Sequence, residues 1–342
     1  MSDAPGWDAI DAALKAVYGA QAPQHFGTVI PYELGGPDPL RGLSVYARTD
    51  PDHWHIVTYG FTELFDKETQ DAAVSGYGFE LTLRVARAPG EEKVPPWPLG
   101  FLQNLARYVF QTGNVFREGD HMPLNGPIRQ GADTAIHSMA VGRDPDLGEF
   151  ESANGKATFL QVVGIANDER DLIMEWDTRA FLEELAREDR WMLTDLRRRS
   201  MLADPVRAAR LRERAEKDGS SMGMTFFADG RFLPGPPHVW ELGALYVDGL
   251  LRGLKGRTQH GRSFEMVGET LKAELVLDAR DSVAMTDRAL RLHLSRDTAK
   301  AMLGSLKPRR GEYAWPGLPG FVLRVVPTPV TDPQGNVVET VG

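Results

Sequence analysis

Cysteine is absent from all 342 residues, which removes disulfides, thiolate metal sites and a cysteine nucleophile together. No apolar run reaches membrane-spanning length, and the first residues, with Asp3 and Asp8, lack a signal core. An excess of positive charge is missing too. Lys and Arg number 39 against 48 Asp and Glu, a net charge of −9, so attraction to a phosphate backbone is not expected. Asn154-Gly155-Lys156-Ala157 lacks the leading glycine and the hydroxyl of a nucleotide P-loop, and no G-x-G-x-x-G opens a helix after a strand. These absences predict a soluble cytoplasmic protein with no cofactor, no nucleic-acid partner and no membrane partner.

What is present is ordinary globular composition, 42% apolar and 25% charged, organised around the stretch from Ser75 to Met122. Phe79-Glu80-Leu81-Thr82-Leu83-Arg84-Val85 alternates apolar and polar residues as a half-buried strand requires. Pro98 then suits a first helical position, where its missing N–H costs nothing. Phe101, Leu102, Leu105, Val109 and Phe110 recur at three- and four-residue spacing and predict one apolar helix face, stopped near Gly113. The chain leaves through an acidic loop, Phe116-Arg117-Glu118-Gly119-Asp120-His121.

The same reasoning places an amphipathic helix over Trp7, Ile10, Leu14, Val17 and Tyr18, ended by Gly19. Strands are expected at Leu43–Ala47 and His53–Gly60, with Trp54, Ile56 and Thr58 on one face and His55, Val57 and Tyr59 on the other. A weak strand at Ile136–Val141 and a hairpin at Asn154-Gly155 follow. Thr158–Ile165, apolar on both faces, reads as an interior strand. A helix from Thr178 to Arg187, a strand at Trp191–Leu196 and a charged helix opened by Asp204-Pro205 come next. Further strands are predicted at Ala244–Leu250, Leu271–Leu277, Leu290–Leu294 and Phe321–Val326, and Ser295 can cap a helix to Leu306. The fold class is therefore α+β, two domains, each a mixed or antiparallel sheet packed with helices. The expected boundaries are 1–229 and a smaller 238–342, joined by a Gly/Pro-rich linker at 230–237.

Candidate chemistry is sparse. Gly219-Ser220-Ser221-Met222-Gly223 spells a nucleophile elbow, but a charged helix precedes it and a strand-like Met224–Phe227 follows, the reverse of the order that strains the serine. His53 and His55 share one strand face at a spacing that can ligate a metal, with Asp52, Asp120 and His121 as further donors. No third ligand stands at a fixed offset, so a structural role with partnered ring nitrogens is the favoured reading. A metal-dependent hydrolase is the rival. The arginines from Arg187 to Arg214 read as a solvated face. Nothing here makes a catalytic set, and no catalytic residue is assigned.

Six blocks in order nevertheless resemble the Suppressor of fused family: Gly35–Leu40, Asp52–Gly60, Ser75–Arg84, Pro96–Gln111 with Gly119-Asp120-His121, Thr158–Gly164, and Leu193–Arg198. Leu251-Arg252-Gly253, His260–Phe264 and Glu312–Pro316 carry the likeness into the second domain. The resemblance implies a protein-binding protein whose domains close on an extended segment of a partner, added as a strand. It implies cleft-facing roles for Tyr108 and Asp120; the chain is separately expected to be a monomer. Animal members restrain Hedgehog signalling by holding Gli-type transcription factors. This chain lacks their long polar insertion, and Asn125 replaces a second histidine beyond the Gly-Asp-His block. It is similar to compact bacterial members, which implies a toxin-immunity role, with regulation of a transcription factor or signalling protein as the alternative partner relation.

Overall fold

The computed structural model describes residues 3–30, 32–332 and 334–342. It divides into two compact units. Unit 1 comprises residues 1–171 and 178–208, and unit 2 comprises 172–177 and 209–342.

Unit 1 opens with α1 (Pro5–Tyr18), followed by β1 (Gln24–Gly27), β2 (Gly42–Arg48), β3 (His53–Tyr59) and β4 (Val74–Ala86). Then come α2 (Pro96–Thr112), β5 (His121–Pro123), β6 (Ile136–Arg143), β7 (Glu149–Ser152) and β8 (Gly155–Ala166). Helix α3 (Asn167–Glu175) carries the chain into unit 2, α4 (Thr178–Glu188) belongs to unit 1, and α5 (Pro205–Asp218) crosses for good after Ala208. The eight strands form one mixed sheet in the order β1-β2-β3-β4-β8-β6-β5, with β7 paired to β8. Only β4 and β8 run parallel, and β8 is interior, as its two-faced apolar pattern predicts.

Strand alternation sends the two faces to different helices. Trp54, Ile56, Leu81, Leu83 and Val162 pack with Phe101, Leu102, Leu105 and Val109 of α2. Tyr46, Val57, Tyr59 and Phe159 pack with Ile10, Leu14 and Tyr18 of α1. Pro96 and Pro98 begin α2, and Gly113 ends it at φ 72, a left-handed conformation in which its N–H reaches Val109.

In unit 2, β9 (Met224–Phe226), β10 (Gly230–Leu233) and β11 (His238–Gly243) precede α6 (Val247–Gly256). Strands β12 (Phe264–Val267), β13 (Lys272–Leu277), β14 (Ser282–Met285) and β15 (Ala289–Leu294) lead to α7 (Arg296–Ser305). The chain finishes with β16 (Gly311–Tyr313), β17 (Phe321–Val326), β18 (Thr328–Thr331) and β19 (Val337–Val341). These strands form sheets in the orders β10-β11-β17-β16 and β14-β15-β13-β12-β9, plus the hairpin β18-β19. Trp240, Leu250, Leu275, Leu292, Met302 and Leu323 share one core. Ser295 caps α7 as expected, accepting from the Thr298 N–H.

Three expectations fail for identifiable reasons. Residues 230–237 are not a linker. Gly230–Leu233 pairs antiparallel with β11, because Phe232 is buried against Trp240 at 6.0 Å. The division between units falls instead inside α5, at Ala208 and Ala209. Ala244–Leu250 is no strand: Ala244–Tyr246 forms a short 3-10 turn and Val247–Leu250 opens α6, whose Val247, Leu250 and Leu254 are buried at helical spacing. Gly253 lets that helix approach β12, since a Cβ there would stand 2.1 Å from the Phe264 ring. Trp191–Leu196 forms no strand either. Asp189 takes the Trp191 and Leu193 N–H groups and Gln161 takes the Trp191 carbonyl, leaving a single bridge between Thr194 and Val85.

Candidate protein-binding site

Tyr108 lies on α2, half-buried, one residue before the buried Val109. Its ring centroid is 5.8 Å from that of the buried Phe116, the residue through which the chain turns back after Gly113. The Tyr108 hydroxyl accepts from Asn114 Nδ2 at 3.2 Å. Its own proton meets no acceptor among the described residues.

Asp120 is exposed and sits immediately before β5, the strand at one edge of the sheet. Its backbone is fixed: Gly119 N–H donates to the Val141 carbonyl at 2.9 Å, and Val141 N–H donates to the Asp120 carbonyl at 2.8 Å. Carboxylate Oδ2 accepts from the Arg117 N–H at 2.7 Å, while Oδ1 has no donor among the described residues. Among the described residues no cation pairs with Asp120, in contrast to Glu118 two residues earlier, which pairs with Arg143 at 2.8 Å and faces Arg179 at 3.8 Å. The acidic loop thus holds one neutralised carboxylate and one left open. Beside it, His121 Nδ1 lies 3.1 Å from Thr178 Oγ1, and burial, then the charge of Arg170, holds its pKa below the usual value.

The candidate metal histidines go elsewhere. His53 and His55 are fully buried on the α1 face of the sheet. His53 Nδ1 bonds the Pro51 carbonyl at 2.8 Å, and its Nε2 faces Arg84 Nη1 at 3.2 Å. The Tyr18 hydroxyl donates to His55 Nδ1 at 2.5 Å, and His55 Nε2 lies 3.0 Å from Asp144 Oδ2. Both nitrogens of each ring therefore face protein groups. Among the described residues no cluster of three or more His, Asp or Glu could hold a metal ion. Asp120 and His121 are not brought to them by any recorded contact.

Sequence reading missed the hub of that buried network. Arg84, fully buried, donates Nη2 to Asp144 at 2.9 Å and to Asp146 at 3.1 Å, and Nε to Gln161 at 3.0 Å. Burial opposes the Asp144 charge, but His55, Arg84 and Thr82 outweigh it and hold the carboxyl well below the usual range. Burial drives His55 down and His53 to about 4, keeping both rings neutral at neutral pH. Glu80, also fully buried, takes donors from Thr58, Gly60 and Thr62, yet burial pushes it up to about 7. The one available signal was the charged residue at an inward position of a strand, Arg84 opposite His55.

In unit 2, Gly219–Gly223 follows α5 and precedes β9, the reverse of a nucleophile elbow, and the Ser221 hydroxyl bonds the Trp176 carbonyl at 3.3 Å. At the edge of its sheet, β9 exposes Met224 and Phe226, the latter 71% accessible.

Fold and site together define a two-unit α+β protein with short strands at open sheet edges. The chain belongs to the Suppressor of fused family: the sequence model of that family, Suppressor of fused protein (SUFU), matches residues 36–199. The human Suppressor of fused homolog is 30% identical over 321 residues, covering 88% of this chain and 65% of the human protein. The mouse homolog is 30% identical over 320 residues with the same coverage. The chain thus spans about two thirds of these relatives' length. A crystal structure of Drosophila Suppressor of Fused covers 94% of this chain and 97% of its own, with a TM-score of 0.82 at 23% identity, a likeness of fold. The Sufu–Fu complex crystal structure is 30% identical, with a TM-score of 0.57, over 61% of this chain and 98% of its own. No helix among the described residues is long and apolar enough to cross a membrane.

Proposed function

We propose that this chain is a non-enzymatic binding protein that holds an extended segment of a partner protein by strand addition. The observation that carries the reading is Asp120: an exposed carboxylate with a free oxygen and no paired cation among the described residues, fixed by its backbone at the start of an edge strand. An incoming strand takes main-chain hydrogen bonds from such an edge, and side-chain groups beside it supply selectivity. Asp120 pairs with a basic or polar group of the segment, and Tyr108 packs against it with a hydroxyl proton to donate. Strand β9 is an open edge of the sheet in unit 2. A relative crystallised as the Sufu–Fu complex supports a protein partner.

His53, His55 and Glu80, whose protonation burial perturbs, are fully buried and out of reach of a substrate. The finer role we propose is that of a cytoplasmic, monomeric immunity protein that neutralises a bacterial toxin. Regulation of a transcription factor or signalling protein is the second reading, favoured by the likeness to the animal homologs. Gene neighbours separate the two, since a toxin gene alongside supports immunity.

The test has two stages. Tagged chain captures its partner from the native host, the partner is identified by mass spectrometry, and the purified pair is titrated with Tyr108→Ala and Asp120→Arg. Weakened binding in both supports the edge site. Undiminished capture by both rejects it.

A further inference from the structure

Two neighbouring arginines of unit 2 converge on one backbone carbonyl, that of Ser220. Arg257, just beyond α6, donates Nη1 to the Ser220 and Ser221 carbonyls at 3.2 and 3.1 Å and Nε to the Ser263 carbonyl at 3.0 Å. Arg262, exposed, donates Nη1 to the same Ser220 carbonyl at 3.1 Å. Every acceptor is a neutral backbone oxygen, and neither arginine makes an ion pair among the described residues. Arg231, Lys255, Lys272, Arg291 and Arg324 of the same unit all do. The neighbouring carboxylate, Glu265, is taken by Lys272 at 2.7 Å.

Burial, then the charge of Arg262, lowers the pKa of Arg257, as expected of two like charges held close together. Arg257 Nη2 has no acceptor among the described residues. It stands 3.7 Å from where a Cβ on Gly223 would be, at ordinary van der Waals contact, and Gly223 leads directly into the open-edged β9.

We propose that Arg257 and Arg262 form an oxyanion site for a phosphoryl group carried by the partner's segment. Only the carrier rests on the strand-addition reading above; the anion site does not. The charge count selects the ligand. Two uncompensated guanidiniums match the roughly −1.5 to −2 charge of a phosphate monoester, whereas a carboxylate neutralises one. Arg257 offers Nη2 alone, its Nε and Nη1 being taken by carbonyls, while Arg262 keeps its Nε and Nη2 fork for a bidentate contact with phosphate oxygens.

Side-chain NMR of the full chain tests this, with inorganic phosphate, N-acetyl-O-phosphoserine amide and acetate as probes. The expected result is saturable shifts of the Arg257 and Arg262 Nε–Hε signals with both phosphates, at least fivefold tighter than with acetate. Ion-paired Arg324 should follow ionic strength alone. Arg262→Gln, a change at an exposed position, should weaken phosphate binding at least fivefold. No saturable shift in the wild-type chain, equal affinity for acetate, or unchanged affinity in Arg262→Gln overturns the site. Binding of inorganic phosphate without phosphoserine overturns the partner-borne ligand. If phosphate binds as expected while Tyr108→Ala and Asp120→Arg capture the partner undiminished, the strand-edge reading falls and the anion site stands.

Discussion

The α1 face of the unit 1 sheet and the loop entering β5 both carry charge, and they treat it in opposite ways. On the sheet face, Arg84, Asp144, His53 and His55 are fully enclosed and face one another. In the loop, Glu118 is paired, while Asp120 keeps a free oxygen in solvent. A buried ion with no partner costs several kcal/mol, so enclosed charges must be matched from within. An exposed carboxylate costs little to leave open. The lesson is that a closed network marks architecture, and an exposed group with unused bonding capacity on a rigid backbone marks recognition.

The strongest attempt to break the closed side is Arg84→Met, which strands Asp144 in the core. We expect a loss of about 3–5 kcal/mol in urea denaturation, with Asp144→Asn added to it restoring a large part, because a neutral pair no longer buries a lone charge. A single variant as stable as wild type would show that the network is not matched as described.

Next in size is Asp120→Arg on the open side. Binding to the identified partner should weaken by about 2–4 kcal/mol by isothermal titration, while urea stability changes by less than about 0.5 kcal/mol. A stability loss equal to the binding loss would move Asp120 into the structural class.

Glu80→Gln sharpens the closed side through pH. The folded carboxyl titrates at about 7, above its unfolded value, so its favourable contribution is complete below the unfolded pKa and is lost as pH rises through 7. The wild type should therefore gain on the variant by roughly 2–3 kcal/mol between pH 8 and pH 4.5. His53 works in the other direction, since its depressed pKa of about 4 gives stability that is present above about pH 6.5 and lost as the pH falls through 4. Taking the difference between wild type and variant cancels that common term. Parallel stability curves for the two would contradict the raised Glu80 pKa.

The smallest effect is at Tyr108. Alanine should cost about 1–2 kcal/mol of binding and phenylalanine about 0.5–1 kcal/mol, the share of one hydrogen bond. Equal losses for the two would assign the whole effect to the hydroxyl.

Periodicity carried most of unit 1. The two faces of β3, the apolar stripe of α2 and the hairpin at Asn154-Gly155 follow from alternation, helical spacing and turn chemistry over short windows. It failed at Trp191–Leu196, where the adjacent Asp189 side chain and that of Gln161, thirty residues away, bind the backbone, and at Gly230–Leu233, where Phe232 meets Trp240. Tyr108 and Asp120 were named through family blocks, and their local chemistry alone would have left them an aromatic at a helix edge and an acid in a turn.

The amino-acid order by itself determined most element types in unit 1, the lack of thiol chemistry and the family, because these depend on local spacing and on blocks read in succession. Only the tertiary structure decided which charges are closed and which open: that Arg84 reaches Asp144 sixty residues away, that both histidine rings face inward, and that Arg257 and Arg262 find carbonyls and no acid. Pairing and burial are properties of groups brought together across the chain, and no one-dimensional pattern records them.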